Sequence, residues 1–210
     1  EQMDEMVALG RNAGMQCAFK LTVYDVGKPP NEFSQEDWRD LYLNKDGRQE
    51  VLVRAWSRIF ARYRNEPSVF GYDLLNEPVA SRAKQHIWEL EPRFKDSETF
   101  FRDYFVPLYR KIIDELQRIS PRKRALFQPY HVPPVVHIKT KFPCLPLTVP
   151  VERKGIVFAP HYYGDEPAVA IERYLADAAL SSAAMLFGEY GKPTFAETDR
   201  DPEVQAAYRK

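Results

Sequence analysis

Two glutamates at the ends of apolar runs are the residues best placed to do chemistry. Glu77 closes Phe70-Gly71-Tyr72-Asp73-Leu74-Leu75-Asn76-Glu77-Pro78, and Glu189 closes Ala184-Met185-Leu186-Phe187-Gly188-Glu189-Tyr190-Gly191. An ionisable group at the mouth of a buried strand is costly unless function or an ion pair justifies it. Pro78 cannot donate to a sheet ladder, so the first strand must end there. Alternation would send Asn76 and Glu77 to opposite faces. If both serve one pocket, the strand bends at that point. A third apolar run, Ile156-Val157-Phe158-Ala159, leads into Pro160-His161-Tyr162-Tyr163-Gly164. His161 and Tyr163 are two apart and share a face, with Tyr162 on the other.

Three strand-like segments thus finish with groups fit for acid–base or hydrogen-bonding work, the pattern of a (β/α) barrel with its chemistry on the C-terminal face. The elements between them agree. Leu52, Ala55, Trp56, Ile59, Phe60 and Tyr63 recur at helical spacing, predicting an amphipathic helix from about Arg48 to Tyr63 that leads directly into the Glu77 strand. Asp96 or Ser97 caps a second long helix running to about Ile119, with Phe101, Phe105, Leu108, Ile112 and Leu116 inward. Arg124 to Tyr130 reads as a strand, and Ala168 to Leu180 as a helix with Ile171, Tyr174, Leu175 and Ala178 inward. At the start, Met3, Met6, Val7 and Leu9 form a helical stripe, and Met15 to Val23 reads as a strand. Asp201-Pro202-Glu203 has the form of a helix start. Five strands are counted, where a closed barrel needs eight.

The order and spacing of Asn76-Glu77-Pro78, His161-Tyr162-Tyr163 and Gly188-Glu189-Tyr190-Gly191 resemble glycoside hydrolase family 5, the cellulase-type retaining β-glycosidases. The resemblance implies a (β/α)8 TIM barrel and a two-glutamate double displacement, with Glu77 as acid/base and Glu189 as nucleophile. It implies that Tyr163 bonds the nucleophile, that His161 bonds the acid/base or a sugar hydroxyl, and that Asn76 holds the sugar 2-hydroxyl. No cofactor or metal is implied. Residues 1–210 would be a single catalytic domain incomplete at both ends, beginning in the second barrel helix and stopping in the seventh. The family's histidine after the third strand is absent from Phe19-Lys20-Leu21-Thr22-Val23-Tyr24-Asp25. A carboxyl facing another carboxylate is expected to have a raised pKa, which suits the acid/base Glu77.

Other residues stay open. Lys20 and Asp25 are either site residues or a solvated lysine and a turn aspartate. Trp88 and Tyr130 either stack on sugars or are ordinary loop aromatics. His86, His131 and His137 sit in loops without ligand spacing, so a metal is not expected. The proline-rich stretch from His131 to Lys154, with Phe142, Leu145 and Leu147, suits packing or ligand contact. It resembles the endoglycoceramidase-related branch of the family, which implies a glycolipid substrate, with some of these side chains at least partly exposed toward the cleft. A polysaccharide endo-β-glucanase or mannanase is the alternative. A non-catalytic carbohydrate-binding barrel or inactive fragment is the alternative of another class.

Thirty basic and thirty acidic residues balance, so nothing points to nucleic acid. No apolar run approaches the roughly 18 residues of a transmembrane helix. The chain starts at Glu1 without a basic-then-apolar leader or an initiator methionine, so no signal peptide is read and a trimmed or partial chain is expected. Cys17 and Cys144 make no metal spacing, and nothing indicates a disulfide.

Overall fold

The structure is a computed structural model that describes residues 2–22, 34–78, 85–132, 144–163 and 167–191. Asp25, His137, Phe142 and the helix start at Asp201 lie outside these residues. Helix α1 (Gln2–Asn12) leads to β1 (Cys17–Lys20), and α2 (Gln35–Tyr42) and α3 (Arg48–Tyr63) precede β2 (Val69–Asp73). A short α4 (Ile87–Leu90) is followed by α5 (Ser97–Phe100), a π turn and α6 (Val106–Ile119), then β3 (Arg124–Phe127). The chain closes with β4 (Ile156–Phe158), β5 (His161–Tyr163), α7 (Pro167–Leu180), β6 (Ala184–Met185) and β7 (Glu189–Gly191).

All the strands pair in parallel, in the orders β1-β2-β3-β4-β6 and β5-β7. Pro160 splits β4 from β5, yet the ladder carries on around it. Leu186 N–H donates to Phe158 O and Gly188 N–H to Pro160 O, both at 3.0 Å. The two pairs are therefore continuations of two bent strands, which gives the five strand positions expected. The sheet is that of a (β/α) barrel, and among the described residues it is not closed. It is nevertheless curled. Lys20 on β1, one edge, forms an ion pair with Glu189 on β7, at the other.

The helices form where the spacing predicts them. In α3, Trp56, Phe60 and Tyr63 are buried, and the Trp56 indole N–H reaches the carbonyl of Leu74 at the end of the Glu77 strand (3.3 Å). Asp96 caps α5 by accepting the Thr99 N–H (2.7 Å). The helix runs on to Ile119 through a π turn at Phe101–Phe105, beside Pro107, whose ring supplies no N–H. Phe101, Phe105, Leu108, Ile112 and Leu116 are all buried, as their spacing predicts.

Two stripes differ from expectation. On α1 only Val7 is buried among the apolar side chains, while Met3, Met6 and Leu9 are exposed. On α7, Leu175 is exposed and Asp177 takes the inward place, accepting the Leu147 N–H at 3.0 Å. A polar chain lying against α7 needs an acceptor more than it needs another methyl group.

Gly71 is fixed by strand approach. A Cβ there would lie 2.5 Å from the backbone oxygen of Arg124 on the paired strand β3. The nearest atom is paired backbone, which cannot swing aside as a side-chain tip can, so Gly71→Ala is expected to destabilise the protein by about 2 kcal/mol or more. Urea unfolding would measure this, and a loss within about 0.5 kcal/mol would show that the strands can part cheaply.

Candidate active site

The site lies at the carboxyl end of β2 and along β5 and β7, the carboxyl-terminal parts of the two bent strands. Past Asp73 the chain keeps one ladder bond to β3, from Leu74 N–H to Leu126 O (3.0 Å), and then turns. Asn76 N–H donates to Leu21 O (2.9 Å), and Glu77 adopts a left-handed backbone with φ 40°. That conformation costs a non-glycine residue about 1–2 kcal/mol. The expected bend is therefore present. It turns Glu77 toward β5, where His161 Nδ1 lies 2.7 Å from Glu77 Oε1.

On β5 and β7 the register sets the contacts. His161 pairs directly with Glu189, and Tyr163 is two residues on along the same face. His161 Nδ1 lies 3.7 Å from Glu189 Oε2, and the Tyr163 hydroxyl donates to the same oxygen at 2.5 Å. Lys20 engages the other oxygen of Glu189. Tyr162, on the opposite face, is buried in the core. Glu77 and Glu189 thus both approach one imidazole nitrogen. Their nearest oxygens are no farther apart than those two contacts laid end to end, just under the roughly 6.5 Å at which the carboxyl spacing of inverting enzymes begins.

Gly188 makes room for the histidine. A Cβ at this position would stand 2.9 Å from His161 Nε2. The Tyr174 hydroxyl on α7 donates to the His161 carbonyl (3.2 Å), holding the strand from behind. Burial drives the His161 pKa down, with the hydrogen bond to the Glu77 carboxylate opposing it.

Glu77 departs from the raised pKa expected of it. Burial pushes its pKa up, but the His161 hydrogen bond and the charges of His131, His161 and Lys20 outweigh burial and take it down to about 2. The reason is local. Glu77 meets cationic and donor groups at hydrogen-bond range, and the second carboxylate is already matched by Lys20 and Tyr163.

Behind Glu77 stands a buried polar row. Asp73 is buried beside the Lys20 strand, its Oδ2 accepting from Gln128 Nε2 at 2.7 Å. Burial raises Asp73 to a pKa of about 7, against the opposing pull of Gln128 and Lys20. A folded-state pKa above the unfolded value of about 3.9 means that the folded state binds the extra proton between those limits. Stability is then lost as pH rises from about 4 to 7, with a ceiling on the order of 4 kcal/mol. Asp73→Asn is expected to flatten that slope. The check is the difference in urea stability between variant and parent at pH 5 and pH 8; an unchanged difference would mean that Asp73 is ionised throughout.

Asn76 keeps its amide oxygen buried and, among the described residues, without a hydrogen-bond partner. His131, set aside on sequence as a loop residue, is brought beside His161 with ring centroids 5.8 Å apart, through an antiparallel bridge to Cys144. Only that non-local pairing could reveal it. Among the described residues Glu77, His131 and His161 offer ligand atoms within 4.8 Å of one another, a set that could hold a metal ion. Both cysteines are free thiols.

Two of the aromatic candidates belong to the core instead. Tyr130 is buried among Phe100, Phe101 and Phe105, and its hydroxyl accepts the Ile87 N–H (3.4 Å). Trp88 is half-buried and stacks on His86. The stretch after Cys144 likewise packs on helices. Leu147 is buried and bonded to Asp177, Val151 N–H donates to Ser181 Oγ (3.1 Å), and Arg110 of α6 donates to the carbonyls of Pro150 and Val151. Leu145 is half-buried against the same core. The two described side chains therefore give no support to the cleft-facing role drawn from the loop's composition. No helix among the described residues is long and apolar enough to cross a membrane.

Known proteins are similar to this chain in sequence and fold. An endoglycoceramidase of Hydra vulgaris is 32% identical over 65 residues, 31% of this chain and 13% of that protein. A crystal structure of an endogalactoceramidase superposes with a TM-score of 0.66 at 19% identity, covering 91% of this chain and 50% of that one. The lactosyl-enzyme intermediate of endo-glycoceramidase II from Rhodococcus sp. gives 0.67 at 14% identity, covering 99% and 55%. The chain spans about half the length of these solved structures and a smaller part of the curated relative. The profile of cellulase, glycosyl hydrolase family 5, matches residues 1–208, and the chain belongs to that family.

Proposed function

We propose that this chain carries the catalytic pair of a retaining β-glycosidase that acts on a glycolipid. The observation that carries the reading is the meeting of Glu77 and Glu189 at one nitrogen of His161. Glu189 is the nucleophile. Its carboxylate is held ionised and oriented by Lys20 and Tyr163, with one oxygen on each. It attacks the anomeric carbon as the bond to the aglycone oxygen breaks, forming a glycosyl ester.

Glu77 supplies the proton to the departing oxygen. With its pKa near 2 in the free site, it is ionised when alone, so the proton reaches it across the 2.7 Å contact with His161. The two groups hold that proton as a coupled pair. In the second half, Glu77 takes a proton from water as the water oxygen attacks the anomeric carbon and the bond to Glu189 breaks. Asn76, whose amide oxygen takes no hydrogen bond among the described residues, is assigned to the sugar 2-hydroxyl. The glycolipid rests on the names of the relatives, since Leu145 and Leu147 pack inward.

A panel of aryl β-glycosides, glucosylceramide, cellulose and mannan tests this reading. Release of ceramide, with the β-anomer formed first by NMR, is the expected result. Hydrolysis of the polysaccharides alone would move the substrate to the cellulase type. A first-formed α-anomer would sink the nucleophile assignment.

A further inference from the structure

We infer that Gln128 is a positioning residue for Glu77, aligned by Asp73, and that it governs the proton-donating half of the reaction. The inference rests on the acid/base reading of Glu77 given above. The amide of Gln128 bridges two neighbouring strands at the floor of the site. Its Oε1 accepts the backbone N–H of Glu77 (2.8 Å), and its Nε2 donates to Asp73 Oδ2 (2.7 Å). The backbone N–H of Glu77 can only donate, so the amide has one sense: oxygen toward Glu77 and nitrogen toward Asp73. Gln128 is fully buried, and its own backbone N–H is bonded to the Tyr109 hydroxyl (3.2 Å).

The bond falls where the backbone is least willing. Glu77 sits at φ 40°, a conformation that a non-glycine residue leaves unless its surroundings hold it. Anchoring its N–H fixes the plane of the Asn76–Glu77 peptide, and with it the direction in which the Glu77 side chain departs. The 2.7 Å contact with His161 then fixes the carboxyl end. Glu77 is held at both ends, and Gln128 supplies the backbone end. Among the described residues neither Gln128 nor Asp73 hydrogen-bonds Glu189, and only Asp73 reaches it, through the charge of Lys20, so loss of Gln128 falls on protonation of the leaving group and leaves nucleophilic attack in place.

The test is a leaving-group comparison on the protein. Gln128→Met keeps the volume and removes the acceptor. It is expected to lower turnover of alkyl β-glycosides by up to about 100-fold, since a misplacement of about 1 Å can cost that much. The glycosylation rate with 2,4-dinitrophenyl β-glycosides, which need little protonation, is expected to change less than about threefold. Equal losses on both substrates, or none on either, would overturn the inference, because a merely structural role does not distinguish leaving groups. If Gln128→Met does not fold, Asp73→Ala decides. It keeps Gln128 and removes its aligning carboxylate, and the same split at smaller size supports the inference while an equal loss overturns it. Glu77→Gln is run alongside. No split there sinks the acid/base reading and the positioning role with it; a split there without one in the other variants overturns the positioning role alone.

Discussion

Glu189→Gln is expected to abolish hydrolysis of every β-glycoside, activated or not, with turnover falling on the order of 10⁵-fold, the scale reached when a nucleophile is removed from a site that acts as a unit. Glutamine keeps the shape and offers Tyr163 the same acceptor, but its amide cannot form the glycosyl ester. It also leaves Lys20 without its counter-charge at the strand edge. The loss should therefore be independent of the leaving group, and no trapped glycosyl-enzyme should appear by mass spectrometry with a slow 2-fluoro substrate. The parent protein should gain the mass of one sugar at Glu189. Labelling at Glu77, or none at all in a protein that still hydrolyses, would overturn the assignment.

The complementary expectation concerns Glu77→Gln. Turnover of substrates with poor leaving groups should fall about 10²- to 10⁴-fold, the usual contribution of a positioned general acid. Glycosylation by dinitrophenyl glycosides should be nearly spared, leaving a glycosyl-enzyme that accumulates because no base activates water. Azide, which needs no base, should then restore turnover and give a β-glycosyl azide. The structure adds a pH component. His161 and Glu77 share a hydrogen bond, and the burial that lowers the His161 pKa and the contacts that lower that of Glu77 both work against holding the proton in the free site. The alkaline limb of kcat/KM for poor leaving groups should then belong to the pair. Glu77→Gln should remove that limb, whereas an unchanged limb would place the acid elsewhere.

How legible these roles were depends on the range of the contacts behind them. Asn76-Glu77-Pro78, His161-Tyr162-Tyr163 and Gly188-Glu189-Tyr190 could be read as strand ends because an apolar run that stops at a polar group is a local pattern. The pairing of His161 and Tyr163 on one face followed from the two-residue period of a strand, and the structure keeps it. The helices Arg48–Tyr63 and Ser97–Ile119 were equally plain, since spacing and caps lie within a few residues of one another.

The failures are of the other kind. Glu77 received a raised pKa because only a second carboxylate was in view from the sequence. The groups that lower it, His131, His161 and Lys20, arrive from strands and bridges 54 to 84 positions away. Lys20 was undecided until the curl of the sheet joined its first edge to its last. His131 needed the Cys144 bridge, and Gln128 gave no signal in sequence, since one buried amide is indistinguishable from any other until its partners are placed. Leu147 and Tyr130, left open between packing and ligand contact, are core. The sequence alone determined where the strands and the long helices lie and which side chains of a strand share a face, because a strand's period and a helix's caps are short-range. The electrostatic state of the site was decided only by the tertiary structure, because charge and hydrogen-bond terms act through space over a few ångströms and take no account of distance along the chain.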